Sequence, residues 1–162
     1  MNLLNQAFDL TENGQYDEAL LCYEKVLKKD PKNIPALIDA GTTLHTLGDL
    51  KKSIIFYDNA LKINSKNLDA LINKGAALHS LGKFHEAISL YDKALVIDKK
   101  CAIALAYKGL SLGELDKIQE ALEFFKKALE IDRDYDLANL SKKMAQDILK
   151  SKLKGLRHTK TQ

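Results

Sequence analysis

The sequence predicts an all-α protein, a solenoid of four two-helix repeats closed by one further helix. Three observations carry that expectation. Shifting the 162-residue chain by 34 positions superposes Gly41, Gly75 and Gly109, and equally Tyr23, Tyr57, Tyr91 and Phe125. Each copy holds two amphipathic stretches with apolar residues at helical spacing, divided at Gly14-Gln15, Gly48-Asp49 or Gly82-Lys83. Only two prolines and eight glycines occur, which suits regular helices with short connections. Self-similarity at one fixed period is the mark of a repeat array. A period of 34 is no multiple of seven, so a coiled coil would lose register at every copy.

The copies span 1–33, 34–67, 68–101 and 102–135 without insertion or deletion. Leu10, Leu44, Leu78 and Leu112 form one column, and Leu27, Leu61, Leu95 and Leu129 another. Within each copy a glycine after the first helix supplies the stop signal, except in the fourth, where Asp116 stands in its place. Between copies lie the polar corners "DPKN", "NSKN", "DKKC" and "DRDY". Pro35 falls in a first helical turn, where its missing N–H does no harm. Gly41, Gly75 and Gly109 sit inside helices, where glycine costs about 1 kcal/mol relative to alanine. A packing role should offset that cost. The expectation is that these glycines, facing the small column Ala19, Ser53, Ala87 and Ala121, let the backbones of one hairpin nearly touch. The aromatic column would then fill the wider gap toward the next hairpin. At the start of the array Ala7 takes the glycine position.

Residues 136–154 form a helix pattern without a partner. Leu137, Leu140, Met144 and Ile148 are expected to cover the open end of the fourth repeat. Asn139, Lys142, Lys143 and Gln146, where a following helix would pack, are polar, as the cap of a solenoid requires. Residues 155–162 are expected to be a disordered basic tail. From Leu149 onward stand Lys150, Lys152, Lys154, Arg157 and Lys160 with no acid. Taking those five from 25 basic residues leaves 20 against 22 acidic, a net of −2. The basicity therefore belongs to the tail. The chain opens on Leu3, Leu4 and Phe8 without a polar cap, so weak self-association through that end or through the tail is a further expectation.

These columns resemble the tetratricopeptide repeat family. The third copy fits best, with Leu71, Gly75, Leu78, Gly82, Phe84, Ala87, Tyr91 and Ala94. The family's late proline stands only in the first copy, at Pro31; Ser65, Lys99 and Arg133 replace it elsewhere. The resemblance covers about residues 1–135 and implies a right-handed superhelix whose first helices line a concave surface that holds peptides or helices. Carried over by column, the lining would be Leu4, Asn5, Phe8 and Glu12, then Ile38, Asp39, Thr42 and His45. Asp69, Ile72, Asn73, Ala76 and His79 follow, then Ala106, Tyr107, Leu110 and Glu114. The set contains acids but no lysine or arginine. Some family members clamp acidic chaperone tails with Lys, Asn and Arg; of those columns only Asn73 matches, while Leu4, Phe8, Asp69 and Tyr107 occupy others. The resemblance therefore implies another protein as partner, a basic or apolar peptide or amphipathic helix rather than an acidic tail.

Other chemistries find little footing. There is no GxSxG, HExxH, P-loop or GxGxxG, so neither an enzyme nor a cofactor is expected. His45 and His79 lie 34 apart with no close third ligand, so no metal site is expected. Cys22 and Cys101 lack any metal-type or CxxC spacing and read as reduced thiols of a cytoplasmic protein. The opening "MNLLNQAFDLTENG" does not read as a secretion signal, and no apolar run approaches the roughly 20 residues of a membrane span. Nucleic acid is disfavoured as partner because no basic stripe crosses the repeats. The alternative reading is a nucleic-acid-associated protein that uses the basic tail.

Overall fold

The computed structural model describes residues 2–159, with side chains as far as residue 150. Among these there are nine α-helices and no strand. They fall into two compact units, Met1–Lys83 and Phe84–Gln162. The first holds α1 (Leu3–Glu12), α2 (Tyr16–Lys29), α3 (Ile34–Thr46), α4 (Leu50–Ile63) and α5 (Leu68–Ser80). The second holds α6 (Phe84–Ile97), α7 (Ala102–Glu114), α8 (Ile118–Ile131) and α9 (Asp136–Thr159).

The turns follow the period of the sequence. After each first helix one residue adopts the left-handed conformation, with φ of 74° at Gly14, 82° at Gly48 and 75° at Gly82. The next amide closes the turn by reaching back five residues, as Gln15 does to the Leu10 carbonyl at 2.8 Å and Asp49 to Leu44 at 2.9 Å. Asp116 takes the same conformation at φ 59°, a strain that a short polar side chain tolerates better than most. At the corners between repeats, Asp30, Asn64, Asp98 and Asp132 each accept the amide of the residue two positions on. Asn33 and Asn67 cap α3 and α5 by accepting the amides of Ala36 and Ala70 at 3.0 and 2.8 Å. At the equivalent place before α7 stands Cys101, which makes no such bond.

The glycine column is used differently from the expectation. A β-carbon on Gly41 would fall 2.6 Å from Tyr57 Cε1, and one on Gly109 would fall 2.6 Å from Phe125 Cε1. The aromatic ring thus rests on the glycine of its own hairpin rather than filling a gap toward the next one. The close approach is ring to backbone, not backbone to backbone. Tyr57, Ala60, Leu37 and Ile38 form one core of the first unit, and Tyr23 with Ala7, Ala19 and Ala36 forms another. In the second unit Phe125 packs with Leu112, Ile118, Ala121 and Ala145.

The closing helix also differs from its expected register. Ala138 and Ala145 are the buried residues of α9, whereas Leu140, Met144 and Ile148 are 60%, 58% and 42% exposed. Small side chains let the helix lie close to its neighbours, and they set the packed face; Leu137 is half-buried and Leu149 packs on the core, while Leu140, Met144 and Ile148 are turned aside. Lys143, in the glycine column, is exposed, so an aromatic ring could not rest there as Tyr57 rests on Gly41. The backbone of α9 stays helical to Thr159, five residues past the boundary expected at 154. The rest of the supposed tail, 160–162, lies outside the described residues.

Candidate functional site

In the first unit α1 touches α3 and α3 touches α5, whereas α2 and α4 do not meet. In the second, α7 touches α9 while α6 and α8 do not. Within each unit, then, the odd-numbered helices crowd together and form the inner side of the stack. That side carries the residues expected to bind a partner.

On α1, Asn5, Phe8 and Glu12 are exposed, with Phe8 at 51%. On α3, Thr42 is exposed while Asp39 and His45 are half-buried. On α5, Asp69 is exposed, and Asn73, Ala76 and His79 are half-buried. Three expected lining residues of one column belong instead to the interior: Ile38, Ile72 and Ala106 are 9%, 7% and 0% exposed. Ile38 packs within the first unit's core beside Ala70 and Ala77 of α5. Ile38 still floors a small cleft shared with Ile34, Pro35, Asp39, Asn67 and Asp69. On α7 in the second unit, Tyr107 and Leu110 are half-buried and Glu114 is exposed, while Ala106 is buried. Tyr107 stacks on Tyr91 with ring centroids 5.9 Å apart.

The inner face of the first unit is electrostatically lopsided. Asp39 has its carboxyl pushed above the ordinary carboxylate value, chiefly because burial disfavours the anion and further because Asp69 adds like charge. Lysines on the odd helices do not relieve it. Lys74 pairs with Asp58 of α4 at 2.6 Å, and Lys108 pairs with Asp92 of α6 at 2.5 Å, so both cations are drawn toward the even helices. His45 is held below its ordinary value by burial, and its Nε2 lies 3.2 Å from Ser80 Oγ. A neutral imidazole adds no positive charge there.

Hydroxyl groups tie the buried tyrosines to this face. Tyr57 donates to Thr42 Oγ1 at 3.3 Å, and Thr42 in turn donates to the Ile38 carbonyl. The Tyr23 hydroxyl lies 3.2 Å from Thr11 Oγ1, which is 3.4 Å from Thr43 Oγ1. The column pattern gave no hint of these contacts, because Thr11, Thr42 and Thr43 are each the only threonine in their column. Burial raises both tyrosines, Tyr57 to about 12, so they stay neutral donors across the physiological range. Among the described residues no group of three or more His, Cys, Asp or Glu is placed to hold a metal ion. No described helix is long and apolar enough to cross a membrane.

A 34-residue unit of two helices, repeated in phase with an aromatic ring on a helical glycine, already narrows the family. A tetratricopeptide repeat model matches residues 66–134, and a model described as anaphase-promoting complex, cyclosome, subunit 3 matches residues 12–94. The chain belongs to the tetratricopeptide repeat family. No curated protein matches it in sequence. Among solved structures, MamA protein is 22% identical with a TM-score of 0.78, over 98% of this chain and 86% of that one. The pilF protein of Pseudomonas aeruginosa is 20% identical with a TM-score of 0.83, over 92% and 68% of the two chains. The first tetratricopeptide domain of Spaghetti (RPAP3), bound to the HSP90 peptide SRMEEVD, is 21% identical with a TM-score of 0.69, over 74% and 95%. At such identities the likeness concerns the fold, an all-α tetratricopeptide solenoid, and it leaves the ligand to be argued from this chain's own side chains.

Proposed function

We propose that this tetratricopeptide protein is a non-catalytic interaction module whose inner face takes a basic or amphipathic peptide of a partner protein. The observation that carries the reading is Asp39: a half-buried carboxylate beside Asp69, on a face whose helices send their lysines elsewhere. Removing a carboxylate from water without a cation is unfavourable. A lysine or arginine of a ligand would relieve that cost, so binding would gain what folding loses. Phe8, Thr42, Asn73 and Ala76 supply apolar and hydrogen-bonding contact around the acids, in the manner of peptide grooves. The same columns on α7, with Tyr107, Leu110 and Glu114, present the same apolar and acidic character in the second unit.

The Spaghetti domain holds a peptide with two glutamates and a terminal aspartate. An acidic peptide of that kind would meet Asp39, Asp69 and Glu12 here, and repulsion would disfavour it. Cys22 and Cys101 are both free thiols, which suits a reducing compartment and a cytoplasmic role.

The reading is tested by calorimetric titration with two helical peptides of identical apolar pattern, one carrying lysine and the other glutamate at the polar positions. The lysine peptide should bind at least about tenfold tighter, a difference of about 1.4 kcal/mol. Reversing charge with Asp39→Lys and Asp69→Lys should invert the order. Equal or tighter binding of the glutamate peptide to the unaltered protein would overturn the proposal.

A further inference from the structure

We propose that the exposed apolar stripe of α9 pairs with α9 of a second copy of this chain, antiparallel, about a two-fold axis at Met144. The inference concerns the second unit, where the stripe borders Leu110 and Glu114 of the inner face, whereas the peptide-binding reading is carried by Asp39 and Asp69 of the first. It begins with the residues that α9 fails to bury. Leu140, Met144 and Ile148 are 60%, 58% and 42% exposed, and a spacing of four residues sets them on successive turns of one helical face. With Leu110 of α7, Met144 and Ile148 border an open cleft of about 360 Å³ floored by Phe125. Three large apolar side chains in a row, exposed together, form the kind of seam along which two helices meet.

The distribution of charge says which helix meets it. The start of α9 is acidic, with Asp134 just before it and Asp136 at its first residue, both exposed. Its last turns carry Lys150, Lys152 and Lys154. Asp136 and Lys152 each lie eight positions from Met144, or about 12 Å along a helix. Asp134 and Lys154 lie just beyond on their respective sides. The stripe is centred in the same way, since Leu140 and Ile148 flank Met144 at equal distance.

An antiparallel second copy therefore sets Leu140 against Ile148 of that copy, Met144 against its own equivalent, and acidic start against basic end at both extremities. A parallel pair would set like charge against like. This near-palindrome is what an isologous two-fold contact needs, because one patch must complement itself. An unrelated helix docking on the stripe would have no use for it.

Sedimentation velocity of the full chain across a range from about 1 to 500 µM, at low salt, tests the proposal. A concentration-dependent monomer–dimer equilibrium is expected. Met144→Glu should weaken it at least about tenfold, with an unchanged circular dichroism spectrum because the side chain is exposed. The pair Asp134→Lys with Asp136→Lys should weaken it, as should Lys152→Asp with Lys154→Asp, and combining all four should restore it. A chain that stays monomeric throughout would overturn the proposal. So would a dimer indifferent to Met144→Glu, or a fourfold variant that associates no better than either pair.

Discussion

The ring of Tyr57 lies where a side chain on Gly41 would have to go, with the nearest ring carbon 2.6 Å from an added β-carbon. Phe125 holds the same relation to Gly109. Glycine is required here by contact and not by backbone conformation, since the residue is helical. Gly41→Ala should therefore lower stability by about 1–2 kcal/mol. Overpacking a core costs about 1–3 kcal/mol, while the gain in helix propensity returns at most about 1 kcal/mol. Gly113 is the control: it too is helical, and nothing lies within 4 Å of its added β-carbon. Gly113→Ala should raise stability by about 0.5 kcal/mol. Urea denaturation of both variants decides the matter, and an alanine at 41 that costs nothing would mean the ring swings aside freely.

Tyr57 and Tyr91 are equivalent and fully buried, yet only one of their hydroxyls is paired. Tyr57 donates to Thr42, whereas the Tyr91 hydroxyl has no hydrogen-bond partner. A buried polar atom left unpaired costs about 1–3 kcal/mol, and Phe125 already fills this column without one. Tyr91→Phe should be neutral to stabilising by about 1 kcal/mol, and Tyr57→Phe should destabilise by about 1 kcal/mol. Opposite shifts of the thermal midpoint are the expected signature. Equal losses from both substitutions would show that the hydroxyl of Tyr91 finds a bond in solution.

Cys101 occupies the cap position that Asn33 and Asn67 hold in the preceding repeats, with a comparable extended backbone at φ −74° and ψ 95°. Its thiol makes no capping bond. Cys101→Asn should restore the bond to the amide three residues on and stabilise the second unit by about 1 kcal/mol. Amide exchange in the first turn of α7 should slow in step. Unchanged exchange there would mean that the corner holds the helix start without its cap.

Much of this architecture was legible because it recurs. The period, the turns at Gly14, Gly48 and Gly82, and the substitution at Asp116 could all be placed from the chain alone, since each repeat serves as a control for the others. What the columns could not reveal was the partner of each residue. Gly41 was identifiable as a close-packing position, but a column of glycines beside a column of alanines looks the same whether backbone or ring fills the space. The register of α9 differs from the sequence expectation for a related reason. Leu140, Met144 and Ile148 are large and apolar, yet it is Ala138 and Ala145 that fall in the buried columns of Ala36 and Thr43. Periodic equivalence decided the packed face, and local hydrophobicity did not. Ile38 and Ile72, expected on the inner face, lie in the core instead, because the columns carry no depth.

Asp39 couples the fold to its use. Burial first, and the like charge of Asp69 second, raise its carboxyl above the ordinary 3.8. Between the unfolded and folded values the native chain holds a proton that the unfolded chain has released. The contribution of this group to stability is thus fullest below 3.8 and is lost as the pH rises through the folded value. At neutral pH the anion is a net cost, and Asp39→Asn should raise the melting temperature by about 2 °C. At pH 3.5 the advantage should shrink to nothing, since both side chains are then largely uncharged. Asp69→Asn should give a smaller gain, as Asp69 is exposed and water screens it. Melting curves at the two pH values supply the measurement, and a neutral-pH loss of stability in Asp39→Asn would mean that the carboxylate is held by a favourable contact. The same variant should weaken a lysine-bearing peptide, so that stability and affinity move in opposite directions at one residue.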